Sequence, residues 1–392
     1  MKLKNIINNS RKCICMVCIS AVLATGCSFP GESSSESSAE SNVITITPKE
    51  ATNAPDSSSV NPDGSSLNPD GTPAESSSEE IPADTHENMY RNELSNEWME
   101  DAYINKRPIA IMYNNSVHGV PQCGISKAEV VYECIAEGGI TRLMGIIKQY
   151  DKLTEFGSIR SARSYFVQWA MEYNAVLCHC GGPQIYVANW LKKVDRLDGT
   201  SLVGTIYYRT ADRVSPHNVF GNGDLLLEGF KKYNISADYT NTYKGEHFVF
   251  ADESAPVELA DGRDANKVSV PYHHNKPYFV YDSTSKLYKR FQFDGPHIDG
   301  TTKEQIAFKN IIIQYAVGRT LDGTAYQEYD VVGKGKGVYI TNGKAIDITW
   351  KKTGDYMPTK YFDASGNELV LNTGKTIVCV CPPEMEKLNS IS

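Results

Sequence analysis

The stretch "SIRSARSYF", Ser158 to Phe166, sets Arg160 and Arg163 three residues apart among serines, directly before an aromatic run. Guanidinium groups are planar, permanently charged forks whose donors match the oxygens of a phosphate or a carboxylate. At a helix start they would be reinforced, because the free N–H groups and the positive end of the helix dipole favour the same anion. Ser158 or Ser161 is expected to cap a helix beginning near Ala162. A purely structural alternative pairs the two arginines with acids such as Glu137 and Glu172.

Two further segments carry the same chemistry. "EGGITR" places Arg142 after a glycine pair at the start of a strand, and "YYRTADRVSPHN", Tyr207 to Asn218, adds Arg209, Asp212, Arg213 and His217 in a loop. Ligands of open α/β sheets sit beyond the carboxyl ends of strands, so loops at element ends are where these groups would meet. The candidate anion site is therefore Arg142, Ser158, Arg160, Ser161, Arg163, Arg209 and Arg213. If the site is catalytic, Asp212 or His217 would handle protons and a divalent cation would balance charge. Otherwise no metal or cofactor is expected.

Other chemistries find less support. No G-x-S-x-G nucleophile elbow occurs, and no cysteine has a distinctive catalytic setting. In "CHC", Cys178 to Cys180, a strand would put both thiols on one face and His179 on the other, poor geometry for joint metal ligation. That motif and "CVC", Cys379 to Cys381, are read as small buried hydrophobes. Cys123 and Cys134 complete the six cysteines after residue 90, and spacing assigns no disulfide pairs among them. His273 and His274 read as a surface pair, His297 as a turn residue near Asp299. "GKGKG", Gly333 to Gly337, opens a strand rather than a phosphate loop. Glu129, Glu133 and Glu137 recur every four residues and predict one solvated helix face.

The elements that would position these groups fall into two halves. Over 97–240, "RPIAIMYNN", "ITRLMGIIKQY" and "AVLCHCGG" read as strands, and "SARSYFVQWAMEYNA", "PQIYVANWLKKVD" and "GDLLLEGFKKYN" as helices. This predicts an α/β N-terminal domain, a layered sheet with helices. A connecting segment, 241–266, leads to 267–392, where β-branched and aromatic runs broken by turn signals predict a mostly antiparallel β C-terminal domain. Asn342-Gly343 is its strongest hairpin signal. Oligomeric state and domain orientation are not legible at this level.

Charge is unevenly spread along the 392 residues, which carry a net −8. Residues 1–27 sum to +4, residues 28–90 to −11, and residues 91–392 to −1, a balance that gives no footprint for nucleic acid. The basic start and the apolar run "CICMVCISAVLATG" predict a signal peptide over 1–27. "ATGC" resembles a lipobox, which implies lipidation of Cys27. The Ser-, Glu- and Pro-rich segment 28–96 predicts a disordered tether, whose flexible part would span roughly 45 Å. The expected location is the extracytoplasmic face of a bacterial membrane, reached through a lipid anchor.

"RPIAIMYNN", "GISKAEVVYECIAEGGITRLMGII", "GSIRSARSYFVQWAMEYNAVLCHCGG" and "RTADRVSPHN" resemble the N-terminal domain of the YerB-like lipoproteins of Gram-positive bacteria. "GPHID", "KNIIIQ", "GKGKGVYITNGKAIDITWKK" and "LNTGKTIVCVCP" resemble the C-terminal domain of that family. The resemblance implies architecture and location but no activity. The order Arg142, "SIRSAR", "YYRTADR" also resembles the LytR-CpsA-Psr phosphotransferases, which act on polyprenyl-pyrophosphate carriers. Ser161 and Met144 stand where those enzymes have acids. The expectation is a lipoprotein that binds an anionic cell-envelope ligand, such as a cell-wall or polyprenyl-phosphate-type molecule. The alternatives are a polymer phosphotransferase-like enzyme and a non-catalytic interaction module with unidentified protein partners.

Overall fold

The computed structural model describes residues 86–392. The signal peptide, Cys27 and most of the expected tether lie outside the described residues. Residues 89–96, also assigned to the tether, instead form the first strand, Met89–Arg91, and the following turn of a strand pair closed by Trp98–Glu100. Leu94 and Met99 are buried there, which gives this short segment the apolar contact a solvated linker lacks.

One large sheet organises the fold. Its strands are β1 (Ile109–Asn114), β2 (Val130–Glu137), β3 (Ile140–Ile147), β4 (Val176–His179), β5 (Arg196–Asp198), β6 (Arg263–Asp264), β7 (Asn310–Tyr315), β8 (Gly333–Thr341), β9 (Lys344–Lys352), β10 (Lys360–Phe362) and β11 (Thr376–Cys381). They run in the order β6-β9-β8-β7-β11-β2-β3-β1-β4-β5, with β10 beside β9. Strand β11 lies parallel to both β7 and β2, Cys379 opposite Ile313 and Glu133. The two halves of the chain are thus joined through a continuous ladder, and the C-terminal half contributes parallel as well as antiparallel pairing. Asn342 and Gly343, at φ 48° and 76°, close the β8–β9 hairpin as the sequence predicts.

Alternate residues of the sheet enter two cores. Ile109, Ile111 and Tyr113 of β1 face one, and Ala110 and Met112 the other. The second core is covered by helix α1 (Ser164–Glu172), whose Trp169 stacks on Tyr132 with ring centroids 4.9 Å apart. The other helices are α2 (Gln184–Leu191), the four-residue α3 (Gly199–Leu202) and α4 (Gly223–Lys232). A second sheet, with strands Lys267–Ser269, Tyr278–Asp282 and Leu287–Gln292 at its centre, contributes to the first core.

The acids at 129, 133 and 137 correct the sequence reading. They do not form a solvated helix face: Glu133 and Glu137 lie in β2, Glu129 immediately precedes it, and Glu129 and Glu133 are buried. Val130, Val131, Tyr132, Cys134 and Ile135 fill the intervening positions with residues suited to a strand buried on both faces. The four-residue spacing of the acids is coincident with a helical period but not its product.

Candidate anion site at the carboxyl edge of the sheet

Strands β1, β2 and β4 run the same way, and their carboxyl ends carry Asn114, Glu137 and His179. Antiparallel β3 begins at that edge, so Arg142 stands opposite both Asn114 and Cys134. The segment 158–163 is extended along the same edge. The amide N–H of Asn114 donates to the Ser158 carbonyl (2.9 Å), that of Arg160 to Met112 (2.8 Å), and that of Cys180 to Arg160 (3.0 Å). The "SIRSAR" segment is therefore pinned between β1 and the residues following β4.

The expected serine cap is absent. Helix α1 begins at Ser164, the cap position is Arg163, and no side chain caps it. Ser161 Oγ instead donates to the Cys180 carbonyl (3.0 Å), and Ser158 Oγ is buried. At the helix start Ser164 Oγ donates to Glu328 (2.6 Å), so a protein carboxylate already stands beside that terminus. The positive charge at this edge comes from the arginines rather than from a free helix end.

Arg142 and Arg163 are both buried and both donate to Glu137, through Nη2 to Oε1 (2.5 Å) and through Nη2 to Oε2 respectively. Glu172, the other acid considered as a partner, pairs with Lys352 (2.6 Å) and His247 (3.1 Å) instead. Arg163 also donates to the Ala162 carbonyl and lies over the Tyr326 ring at 4.9 Å. Partly buried Arg160 donates to the Pro216 carbonyl at 3.3 Å. The Nε–H groups of all three arginines are buried without a hydrogen-bond partner among the described residues. Two guanidinium groups thus share one carboxylate, and the third, Arg160, lies within its electrostatic reach.

Electrostatics mark the same crowding. Burial pulls Arg142 down to about 9, opposed by Glu137 and reinforced by Arg163 and Arg160; it remains charged at neutral pH. Arg160 is lowered by burial, with Glu137 opposing and Arg163 reinforcing. His217 is lowered by burial and then by Arg160, His118, Arg142 and Arg213, so its ring is neutral near pH 7. Asn114 Oδ1 accepts from the Ser116 N–H, which turns the Asn114 amide nitrogen toward His217 Nδ1 at 2.7 Å. Nδ1 is then the acceptor, and the neutral ring carries its proton on Nε2. His118 lies 5.4 Å from the His217 ring, centroid to centroid.

The remaining sequence candidates divide. Arg213 braces two loops, donating to the carbonyls of Gly119 (2.9 Å) and Pro121 (2.8 Å) and packing over Phe220. Arg209 is exposed and donates to Asn218 Oδ1 (2.7 Å). It comes near enough to Cys180 to oppose, together with Arg160, the burial that raises that thiol. Asp212 is exposed; its carboxyl is lowered first by a hydrogen bond from Thr210 and then by Arg213, which holds it as a carboxylate. This is the wrong direction for a proton donor near pH 7.

Sequence reasoning did not nominate Asn114, His118 or Tyr326. The paired asparagines that close an apolar strand in "IAIMYNN" were the available signal. Behind Asn114 lies a closed ring of buried side chains. Arg290 Nη2 donates to Glu133 Oε2 (2.8 Å) and Nη1 to His297 Nδ1; His297 Nε2 meets Gln122 Oε1 (2.7 Å). Gln122 Nε2 donates to Asn115 Oδ1 (3.0 Å) and the Asn114 carbonyl (2.7 Å), and Asn115 Nδ2 returns to Glu133 Oε1 (3.1 Å). His297 is therefore a member of this ring and not the partner of Asp299, whose carboxylate accepts from the N–H groups of Ser126 (2.8 Å) and Thr301 (2.7 Å).

The six described cysteines are free thiols, all but Cys180 buried, and His273 and His274 are exposed. Among the described residues no three His, Cys, Asp or Glu side chains are placed to hold one metal ion. A cleft of about 580 Å3 elsewhere is lined by Arg263, Lys336, Asp347 and Glu386. Its bases face acids, Arg263–Asp347 at 2.9 Å and Lys336–Glu386 at 3.9 Å.

Comparison with known proteins supplies kinship. Residues 94–236 match the N-terminal domain, and residues 268–378 the C-terminal domain, of a protein family of unknown function, DUF3048. The chain is 28% identical over 294 residues to "Putative lipoprotein YerB" of Bacillus subtilis (strain 168), spanning 72% of this chain and 83% of that protein. The crystal structure of the YerB protein from Bacillus subtilis superposes with a TM-score of 0.69 at 24% identity, covering 77% of this chain and 99% of that one. With both domain signatures present in order along one chain, the protein belongs to the DUF3048 family.

Proposed function

We propose that this protein is a lipid-anchored, extracytoplasmic receptor for an anionic cell-envelope ligand bearing phosphate or carboxylate. The anchor rests on the signal-peptide pattern and lipobox-like "ATGC" ending at Cys27, and on the lipoprotein name carried by its Bacillus relative. The ligand reading is carried by one observation: Arg142, Arg160 and Arg163 gather round the single carboxylate of Glu137, three guanidinium charges to one acid. Buried donors and unmatched charge are costly unless something pairs with them. His217 adds a neutral Nε2–H donor at the same edge, and Arg209 and Arg213 hold the flanking loop.

Calorimetric titration of the 86–392 fragment and the full chain with pyrophosphate and with a polyprenyl phosphate tests the reading. Saturable binding that drops at least tenfold in the Arg160→Ala plus Arg163→Ala variant is expected. The reading fails if the wild type binds neither ligand, or if the double variant, shown folded by circular dichroism, binds them undiminished.

A further inference from the structure

We infer that the ligand of the arginine site presents a doubly charged phosphoryl group, a dianion, in preference to any monoanion. This deepens the proposed anion-binding function and rests on it. Two counts point the same way.

The first is charge. Arg142, Arg160 and Arg163 bring three positive charges, and among the described residues Glu137 is the one acid paired with Arg142 and Arg163, and it acts on Arg160 through space. Glu172 is taken by Lys352, Glu328 accepts from Ser164 and forms no ion pair with the three among the described residues, and Asp212 lies exposed beside Arg213. His217 is neutral and the Cys180 thiol is raised, so neither changes the sum. The excess is two. A carboxylate or a phosphodiester would leave one guanidinium charge uncompensated where Arg142 and Arg163 are only 2% and 4% exposed. A dianion closes the balance without moving Glu137.

The second is donor supply. Each guanidinium offers five N–H donors, and among the described residues the three together spend four bonds, two on Glu137 and one each on the carbonyls of Ala162 and Pro216. The His217 Nε2–H adds another donor, because Asn114 holds Nδ1 as an acceptor. Two carboxylate oxygens could not use that supply, whereas the three terminal oxygens of a phosphoryl dianion have the lone pairs to take it up. The geometry also differs from the paired bases elsewhere on the surface, such as Arg263 with Asp347, which have no surplus to offer.

The experiment titrates the protein at low ionic strength with four small probes, methyl phosphate, dimethyl phosphate, acetate and sulfate, following amide shifts by NMR at pH 8 and pH 5. At pH 8 methyl phosphate should bind at least tenfold more tightly than dimethyl phosphate or acetate. Its affinity should fall about tenfold at pH 5, because its second ionisation lies near pH 6. The titratable groups facing the site are Glu137, His118 and His217, whose protonation makes the site more positive, and Cys180, which stays a neutral thiol across this range. Sulfate, a dianion at both pH values, reads that effect alone and should bind as well or better at pH 5. Arg160→Gln, at a partly buried position whose side chain bonds only the Pro216 carbonyl, should weaken methyl phosphate and sulfate at least fivefold with the fold checked by circular dichroism. If dimethyl phosphate or acetate equals methyl phosphate at pH 8, or if methyl phosphate holds its affinity at pH 5, the dianion inference falls while anion binding stands. If none of the four probes binds and pyrophosphate also fails, anion binding itself falls.

Discussion

Two carboxylates on one strand, Glu133 and Glu137 of β2, meet arginines in opposite ways. Glu133 is fully buried, faces one arginine, Arg290, and belongs to a ring in which Asn115, Gln122 and His297 pass donors to acceptors until the circuit closes. Glu137 is partly exposed, faces Arg142 and Arg163 with Arg160 nearby, and leaves buried N–H groups without partners. The first arrangement is balanced in charge, one guanidinium to one carboxylate, although the Arg290 Nε–H is buried and unpartnered there too. The second is unbalanced in charge, three guanidinium groups around one carboxylate, and the proposed anion site turns on that difference.

The contrast can be broken most sharply at Glu133. Glu133→Gln leaves Arg290 charged and buried without its partner, and should cost about 3–5 kcal/mol of stability, read as a lowered denaturation midpoint in urea. A loss under about 1 kcal/mol would show that the ring is not a structural unit.

Acid should loosen the same ring through His297. An unfolded histidine takes up its proton near pH 6.5, whereas burial and Arg290 hold His297 neutral to well below that. Between the two values the unfolded chain binds the extra proton, so stability falls as pH falls, by up to about 1.4 kcal/mol per pH unit. Gln can both accept from Arg290 and donate to Gln122, so His297→Gln should make the loss between pH 6.5 and pH 5 shallower by about that slope. Equal slopes in urea titrations of both proteins would contradict the assignment.

At the open site the expected effects move from stability to binding. Arg160→Gln should change stability by no more than about 0.5 kcal/mol, yet weaken pyrophosphate about tenfold, roughly 1.4 kcal/mol. A variant that loses stability but keeps affinity would reverse the comparison with Glu133. Asp212→Asn should have the smallest effect, less than about twofold on affinity in calorimetry, because its exposed carboxylate interacts through solvent with only weak pairing energy. A tenfold change there would move the centre of the site out to the 209–217 loop.

The same contrast marks how far the sequence could be read. Grouping Arg142, Arg160, Arg163, Arg209 and Arg213 needed only their positions at element ends, and Arg142, Arg160 and Arg163 do come together. Strands β1, β3 and β4 and helices α1, α2 and α4 were legible from apolar periodicity, and the β8–β9 turn from Asn342-Gly343. Strand β2 was not, because acids at every fourth position mimic a helix face, and their partners lie far along the chain. Arg290 is 157 residues from Glu133, and no local pattern announces such a pair. The expected serine cap failed for a related reason: segment 158–163 is held extended by β1 and Cys180, so the helix starts later, at Ser164.

The sequence by itself determined the local elements, the uneven charge along the chain, the export signal pattern and the clustering of arginines in three segments, because each depends on residues within a few positions of one another. Tertiary structure alone decided which arginines are spent and which are free. It placed β11 between β7 and β2, joining the halves in one sheet, and it gave Glu133 a complete circuit and Glu137 a surplus of positive charge. That distinction depends on counting partners in three dimensions, since the cost of a buried charge is set by what surrounds it and not by what precedes it in the chain.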